Sequence, residues 1–91
     1  MSLGRDQPLD AGDDGRASAR ASARAVIAKA VRALSGPRAR AASRWLSTNT
    51  ENLLKVARMA GLDLEALRLE LRGIRDRRGR ARLAERIARE P

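Results

Sequence analysis

The side chains able to do chemistry in this sequence are almost all guanidinium groups. The 91 residues include 18 Arg and two Lys against 11 Asp or Glu, which gives a formal net charge of +9. Guanidinium groups form forked hydrogen bonds with phosphate and keep their charge at every physiological pH. The composition therefore points to the binding of a polyanion.

Catalytic and metal-binding chemistry has little support in the sequence. The chain has no Cys and no His, so the usual nitrogen and sulfur ligands of zinc, copper and iron are missing, as are the common nucleophile and base of acyl transfer. Helix capping and pairing one turn apart explain the clustered acids Asp63, Glu65 and Glu70. We expect no enzyme activity, no metal and no cofactor.

The basic residues are concentrated between Arg16 and Arg44, a segment with eight basic residues and no acid. A surface that serves only solubility mixes both signs of charge, so this segregation favours phosphate binding. Double-stranded DNA is the expected target, because proteins that grip single strands usually stack bases on aromatic rings and this chain has only Trp45. The alternative is that coding bias enriches Arg and that the charge is a solvated face.

Helical patterns account for the middle of the chain and predict an all-α bundle of about four helices. The helices are expected at about 16–34, at 37–47, from near Asn49 to Gly61, and after Asp63. Residues 1–15, with four Asp and three Gly, are predicted to be a disordered acidic leader. Residues 16–74 then form the helical core, and residues 75–91 a basic C-terminal tail or weak helix.

The last two core helices are joined by local signals that are typical of a helical hairpin. Thr48 and Glu51 fit a capping box, Gly61 fits a left-handed C-terminal cap, and Asp63 can cap the helix that follows. The segment from Leu53 to Arg72 also fits a helix-turn-helix template. A compact packing hairpin has the same features, so both interpretations stay open.

The first predicted helix combines an apolar stripe with a basic one. Ile27, Val31 and Leu34 recur at helical spacing, and the same spacing continues backwards to Arg24 and Arg20. An unpaired buried charge costs several kcal/mol, so we expect these first turns to project beyond the core as a positive arm. The predicted DNA contacts are Arg16, Arg20, Arg24, Lys29, Arg32, Arg38, Arg40, Arg44, Arg68 and Arg72.

A chain this small buries little surface, so self-association is expected to stabilise it. The predicted oligomerisation seam is Leu64, Leu67, Leu71 and Ile74, which lie at 3-4-3 spacing. No apolar run of signal-peptide or membrane-span length is present. A cytoplasmic protein with no membrane partner is therefore expected.

The sequence resembles a known family in three short segments. They are residues 42–47 (ASRWLS), 60–63 (AGLD) and 67–68 (LR). Their order and spacing resemble the small terminase subunits of alphaproteobacterial phages and gene transfer agents. That family consists of ring-forming, non-catalytic DNA binders that recruit a large terminase motor during DNA packaging. The resemblance implies that Trp45 and Leu46 are core positions, that Gly61 and Asp63 form the hairpin turn, and that Leu64, Leu67 and Leu71 belong to a ring-forming helix.

The expected function is thus a largely sequence-independent, double-stranded DNA-binding role in a packaging machine of the small-terminase type. The resemblance leaves residues 75–91 to recruit the motor and the arginines outside the matched segments to contact DNA. One alternative is a helix-turn-helix transcriptional regulator of phage or gene-transfer-agent genes. Another is a basic protein that binds structured RNA or the ribosome.

Overall fold

The computed structural model describes the backbone of residues 7–89 and the side chains of residues 17–89. Within that range the chain forms five α-helices and no strand, namely α1 (Gln7–Ala33), α2 (Ala39–Ser47), α3 (Glu51–Ala60), α4 (Leu64–Gly73) and α5 (Arg77–Arg89). The prediction of a small all-α bundle is confirmed, with five helices in place of about four.

The helix α1 is the central element and packs against α5, α3 and α2. The predicted apolar stripe forms its buried face, and neither Ile27 nor Val31 has any exposed surface. Burial of one such side chain contributes about 1.5–3 kcal/mol. Because the sequence has no Phe or Tyr, these aliphatic contacts carry most of the stabilisation.

The start of α1 corrects the predicted leader. The helix begins at Gln7, so residues 7–15 are helical rather than irregular, while residues 1–6 lie outside the described residues. Pro8 stands in the first turn, where its missing N–H has no helical partner to lose.

The junction between α2 and α3 uses two threonines in different ways. The Oγ1 of Thr48 donates to the carbonyl oxygen of Arg44 at 2.8 Å and closes α2, whereas the Oγ1 of Thr50 accepts from the N–H of Leu53 at 3.1 Å and caps α3. The predicted capping box from Thr48 to Glu51 was therefore wrong by two residues. Thr50 takes the cap because its extended backbone aims its hydroxyl along the first turn of α3.

The turn between α3 and α4 forms as predicted. Gly61 adopts a left-handed conformation with φ of 69°, and the N–H of Leu62 reaches back to the carbonyl oxygen of Ala57 at 3.0 Å. The Oδ1 of Asp63 accepts from the N–H groups of Glu65 and Ala66. The hairpin thus combines a glycine C-terminal cap with an aspartate N-terminal cap.

The seam of α4 packs into the core of its own protomer. Leu67 is buried, and the other three seam residues, Leu64, Leu71 and Ile74, are partly buried against the same core. The seam therefore contributes to the core of the single chain, and its role in joining copies of the chain stays a prediction. The large apolar residue that α4 exposes is Leu69.

The C-terminal helix α5 is the helix that was predicted as one possibility for residues 75–91, but it packs as part of the core rather than lying outside it. Leu83, Ala84 and Ile87 are all buried, and α5 packs along α1. Asp76 begins the helix, because its Oδ1 accepts from the N–H of Gly79 at 2.8 Å. Residues 75–89 thus complete the domain, while residues 90 and 91 lie outside the described part of the chain.

Candidate nucleic-acid interface

Arg24, one of the predicted DNA contacts, is a buried structural residue. Its side chain sits in the core, 4% exposed, and its Nη1 donates to the carbonyl oxygen of Ile87 at 3.2 Å. Ile87 lies in the last turn of α5, where carbonyl groups lack helical partners and the dipole attracts a cation. The expected positive arm therefore fails at Arg24, since α5 supplies the acceptor that makes burial tolerable.

Arg20, one turn before Arg24, is exposed but lies against the end of α3. A Cβ built on Gly61 would stand only 2.5 Å from the Nη2 atom of Arg20, so the guanidinium covers the glycine turn. The side chain of Arg16 lies outside the described residues. Of the predicted arm, Arg20 alone is seen to present its charge at the surface.

Arg68, a predicted contact on α4, also points into the protein. Its Nε donates to the carbonyl oxygen of Leu46 at 2.9 Å, at the C-terminal end of α2, and its Nη1 lies 3.5 Å from Glu65. Arg68 and Arg24 thus perform the same task, since each gives a hydrogen bond to a terminal carbonyl of another helix. Neither guanidinium is presented to a duplex.

The other predicted contacts are exposed, as a DNA-binding role requires. They divide between three helices and the turn before α2. The exposed set comprises Lys29, Arg32, Arg38, Arg40, Arg44 and Arg72.

A depression of about 250 Å³ lies between the end of α1 and the start of α5. Its walls include Arg32 from α1 and Arg77 from α5, with Ser35, Gly36 and Ala81 between them. We call it the α1–α5 depression. It brings together two arginines that are 45 positions apart in the sequence, and no carboxylate lines it.

A second opening, the α1–α2 groove, flanks the same end of α1. Its volume is about 290 Å³, and its floor is apolar, formed by alanines together with Val26 and Trp45. Lys29 and Arg38 supply its charge. Trp45 is partly buried against the core, consistent with its expected role as a core residue. We call the surface that carries Lys29, Arg32, Arg38 and Arg77 the basic end.

Among the residues whose side chains are described, the acids of α4 and α5 are engaged with arginines rather than placed in these linings. Glu70 pairs with Arg86, and Glu85 pairs with Arg89 at 3.6 Å. These contacts neutralise parts of α4 and α5, whereas no acid lines either opening at the basic end. Charge is therefore segregated on the folded protein and not only along the sequence.

Sequence reasoning missed Arg77, because residues 75–91 were predicted to be a basic tail or weak helix outside the core. The signal that could have placed it is the apolar spacing of Leu83, Ala84 and Ile87, which marks a helix with one core-facing side. Such a helix brings its first turn, with Arg77, next to another element. Only the fold shows that this element is the end of α1.

Among the described residues, no three His, Cys, Asp or Glu side chains are grouped so as to hold a metal ion. In the same range no helix combines the length and the apolar character needed to cross a bilayer. No protein-family model matches this sequence, and no curated protein or solved structure is significantly similar to it.

Proposed function

We propose that this protein binds double-stranded DNA through its basic end, mainly by contacts with backbone phosphates and without catalysis. The observation that carries the proposal is the cationic lining of two openings near the C-terminal end of α1. Arg32 and Arg77 line the α1–α5 depression, Lys29 and Arg38 line the α1–α2 groove, and neither lining includes a carboxylate. Each phosphate neutralised by such a group releases condensed counterions, which supplies binding free energy independent of base sequence.

The surface of α4 supports sequence-independent binding over the reading of an operator. In a helix-turn-helix protein α4 would enter the major groove. Arg68 is instead bonded to α2, and the exposed face of α4 offers Glu65, Leu69 and Arg72. Arg72 alone is a weak basis for direct readout, because Glu65 would face phosphates or the acceptor-rich groove edge.

We further propose that the protein works as a self-associating DNA-packaging component of the small-terminase type, which recruits a large terminase motor. The resemblance in segments 42–47 and 60–63 motivates this assignment. It is supported by Leu46, which is buried, and by Gly61 and Asp63, which form the turn that the resemblance implies. The surfaces for self-association are then sought at the exposed apolar residues Val26, Leu54, Met59 and Leu69.

The deciding experiment measures binding to a fluorescent random-sequence duplex by anisotropy over a series of salt concentrations. We expect the logarithm of the association constant to fall linearly with the logarithm of salt concentration, by about 0.9 per phosphate contacted. Lys29→Gln with Arg38→Gln should lower the magnitude of the slope by about two. The matched control, Lys55→Gln with Arg58→Gln, removes the same charge from the exposed face of α3 and should change the slope less.

Three results would argue against the proposal. Failure to bind any duplex at low salt would remove DNA as the ligand. A preference of roughly 10³-fold for one operator over random duplex would favour the transcriptional regulator. Tighter binding to an RNA duplex of equal length would favour the RNA-binding alternative, because A-form geometry is then what is recognised.

A further inference from the structure

The α1–α5 depression is lined by side chains that can bind a phosphate group, namely two arginines and a serine. We infer that Arg32, Arg77 and Ser35 together hold one phosphodiester group of the DNA backbone there. This inference rests on the proposed DNA binding and adds a defined location to it. The other exposed cations would then act as less specific neighbours.

The first support is that the two arginines lining the depression come from different helices. Arg32 belongs to the last turn of α1, and Arg77 opens α5. A planar guanidinium offers forked donors that match phosphate oxygens. Because the two arginines come from different helices, one phosphate between them can be contacted by both.

Ser35 supplies the second support through its hydrogen-bond arrangement. The Nε of Arg80 donates to the Oγ of Ser35 at 2.8 Å, so the serine oxygen acts as an acceptor in this contact. A hydroxyl also carries one hydrogen to donate, and Ser35 lines the depression. An anionic oxygen in the depression is a suitable acceptor for that hydrogen, and Arg80 adds a positive charge behind the serine.

The size and charge of the depression agree with this ligand. Its volume of about 250 Å³ compares with about 30 Å³ for one water in the liquid, so a phosphate group with some of its hydration waters has room. The nearest acid in the sequence, Asp76, accepts from the N–H of Gly79 to cap α5. No carboxylate therefore takes the place of the phosphate among the lining residues.

Gly36 provides a way to fill the site with a negative charge. A Cβ built there would meet only the carbonyl oxygen of Ala33, at 3.8 Å, and Gly36 has no positive φ. Gly73, the last residue of α4, accepts a Cβ with no atom within 4 Å and is not among the residues that line the depression. The substitutions Gly36→Glu and Gly73→Glu therefore form a matched pair with the same change of residue and charge.

The test compares random-duplex binding by the full chain and its variants at one salt concentration, after circular dichroism has verified their helicity. We expect Gly36→Glu to weaken binding by roughly tenfold or more, the size of a lost charge-assisted contact, and Gly73→Glu to weaken it much less. Arg32→Gln and Arg77→Gln should be non-additive in a double-mutant cycle, because both residues hold the same phosphate.

The outcomes separate this inference from the proposed function. Duplex binding that Gly36→Glu and Gly73→Glu weaken equally, or additive effects of Arg32→Gln and Arg77→Gln, would overturn the discrete site while DNA binding stands. Absence of duplex binding by the unmodified chain would overturn both. Inorganic phosphate and pyrophosphate serve as further probes, and amide shifts at Gly36 and Ala81 that appear with these anions but not with duplex would assign the site to free anions instead.

Discussion

Arg24 and Arg68 show that a guanidinium can complete a helix instead of binding a ligand. Each places a donor on a carbonyl near the C-terminal end of a different helix, Arg24 on α5 and Arg68 on α2. Terminal carbonyls of this kind have no partner within their own helix. In a chain with 18 arginines, part of the positive charge is therefore structural.

A structural role for Arg24 predicts a loss of stability when it is removed. Arg24→Ala should lower the free energy of unfolding by ~3 kcal/mol, because it removes a buried charge-assisted hydrogen bond and leaves the Ile87 carbonyl without this donor. Lys29→Ala, on the exposed face of the same helix, should change stability by less than ~0.5 kcal/mol. Urea unfolding followed by circular dichroism measures both, and equal losses would contradict the assigned role.

Single residues could be predicted from sequence where their role is local. Gly61 and Asp63 were placed correctly, because a left-handed cap and an N-terminal cap each involve neighbours within a few positions. Arg24 was misplaced because its acceptor, Ile87, lies 63 positions away. A sequence pattern does not reveal which carbonyl group a distant helix end will present. Only the fold therefore distinguishes structural arginines from surface arginines.

At the scale of elements, α5 turns a partial bundle into a closed core. Its three buried residues, Leu83, Ala84 and Ile87, cover the face of α1 that α2 and α3 leave open. The high charge of α5 hid this role in the sequence, since most of its residues face solvent. The cap of α3 was assigned to Thr48 instead of Thr50 for a different reason. The end of α2 and the start of α3 share one short polar segment, and either threonine fits a cap by sequence alone.

A core role for α5 predicts that its apolar residues matter as much as those of the central helices. Leu83→Ala should lower the free energy of unfolding by about 2–5 kcal/mol, through lost burial and the cavity it leaves. Leu69→Ala, the same change at a residue 65% exposed on α4, should cost less than ~0.5 kcal/mol. Thermal unfolding distinguishes the two, and an unchanged midpoint for Leu83→Ala would return α5 to the status of a dispensable tail.

For the whole molecule, the arrangement of charge matters more than its total. The net charge of +9 is distributed so that carboxylates pair with arginines on α4 and α5, while the basic end has no acidic lining residue. A field of one sign over a restricted surface attracts and orients a polyanion before contact is made. The composition predicts an attraction for polyanions. The position of the basic surface could not be predicted, because it depends on how α1 and α5 pack together.

The absence of histidine makes a prediction about pH. Histidine is the side chain whose ordinary titration range spans pH 5 to 8, so the basic end has no side chain of this type to gain or lose a proton there. We expect the affinity for random duplex, at fixed salt, to stay within about twofold between pH 6 and 8. Anisotropy titrations in buffers of matched ionic strength would test this, and a tenfold step within that interval would show that a titrating group controls binding.

The packing of α1 against α5 also affects the order in which the helices can fold during translation. In this sequence α1 is synthesised before α5, so the part of its apolar face that α5 covers stays open until residues 83–87 emerge. Contacts so distant along the chain form slowly compared with local ones. Translation therefore creates an interval in which α1 is incompletely covered, and the α1–α5 depression is complete only after α5 has packed against α1.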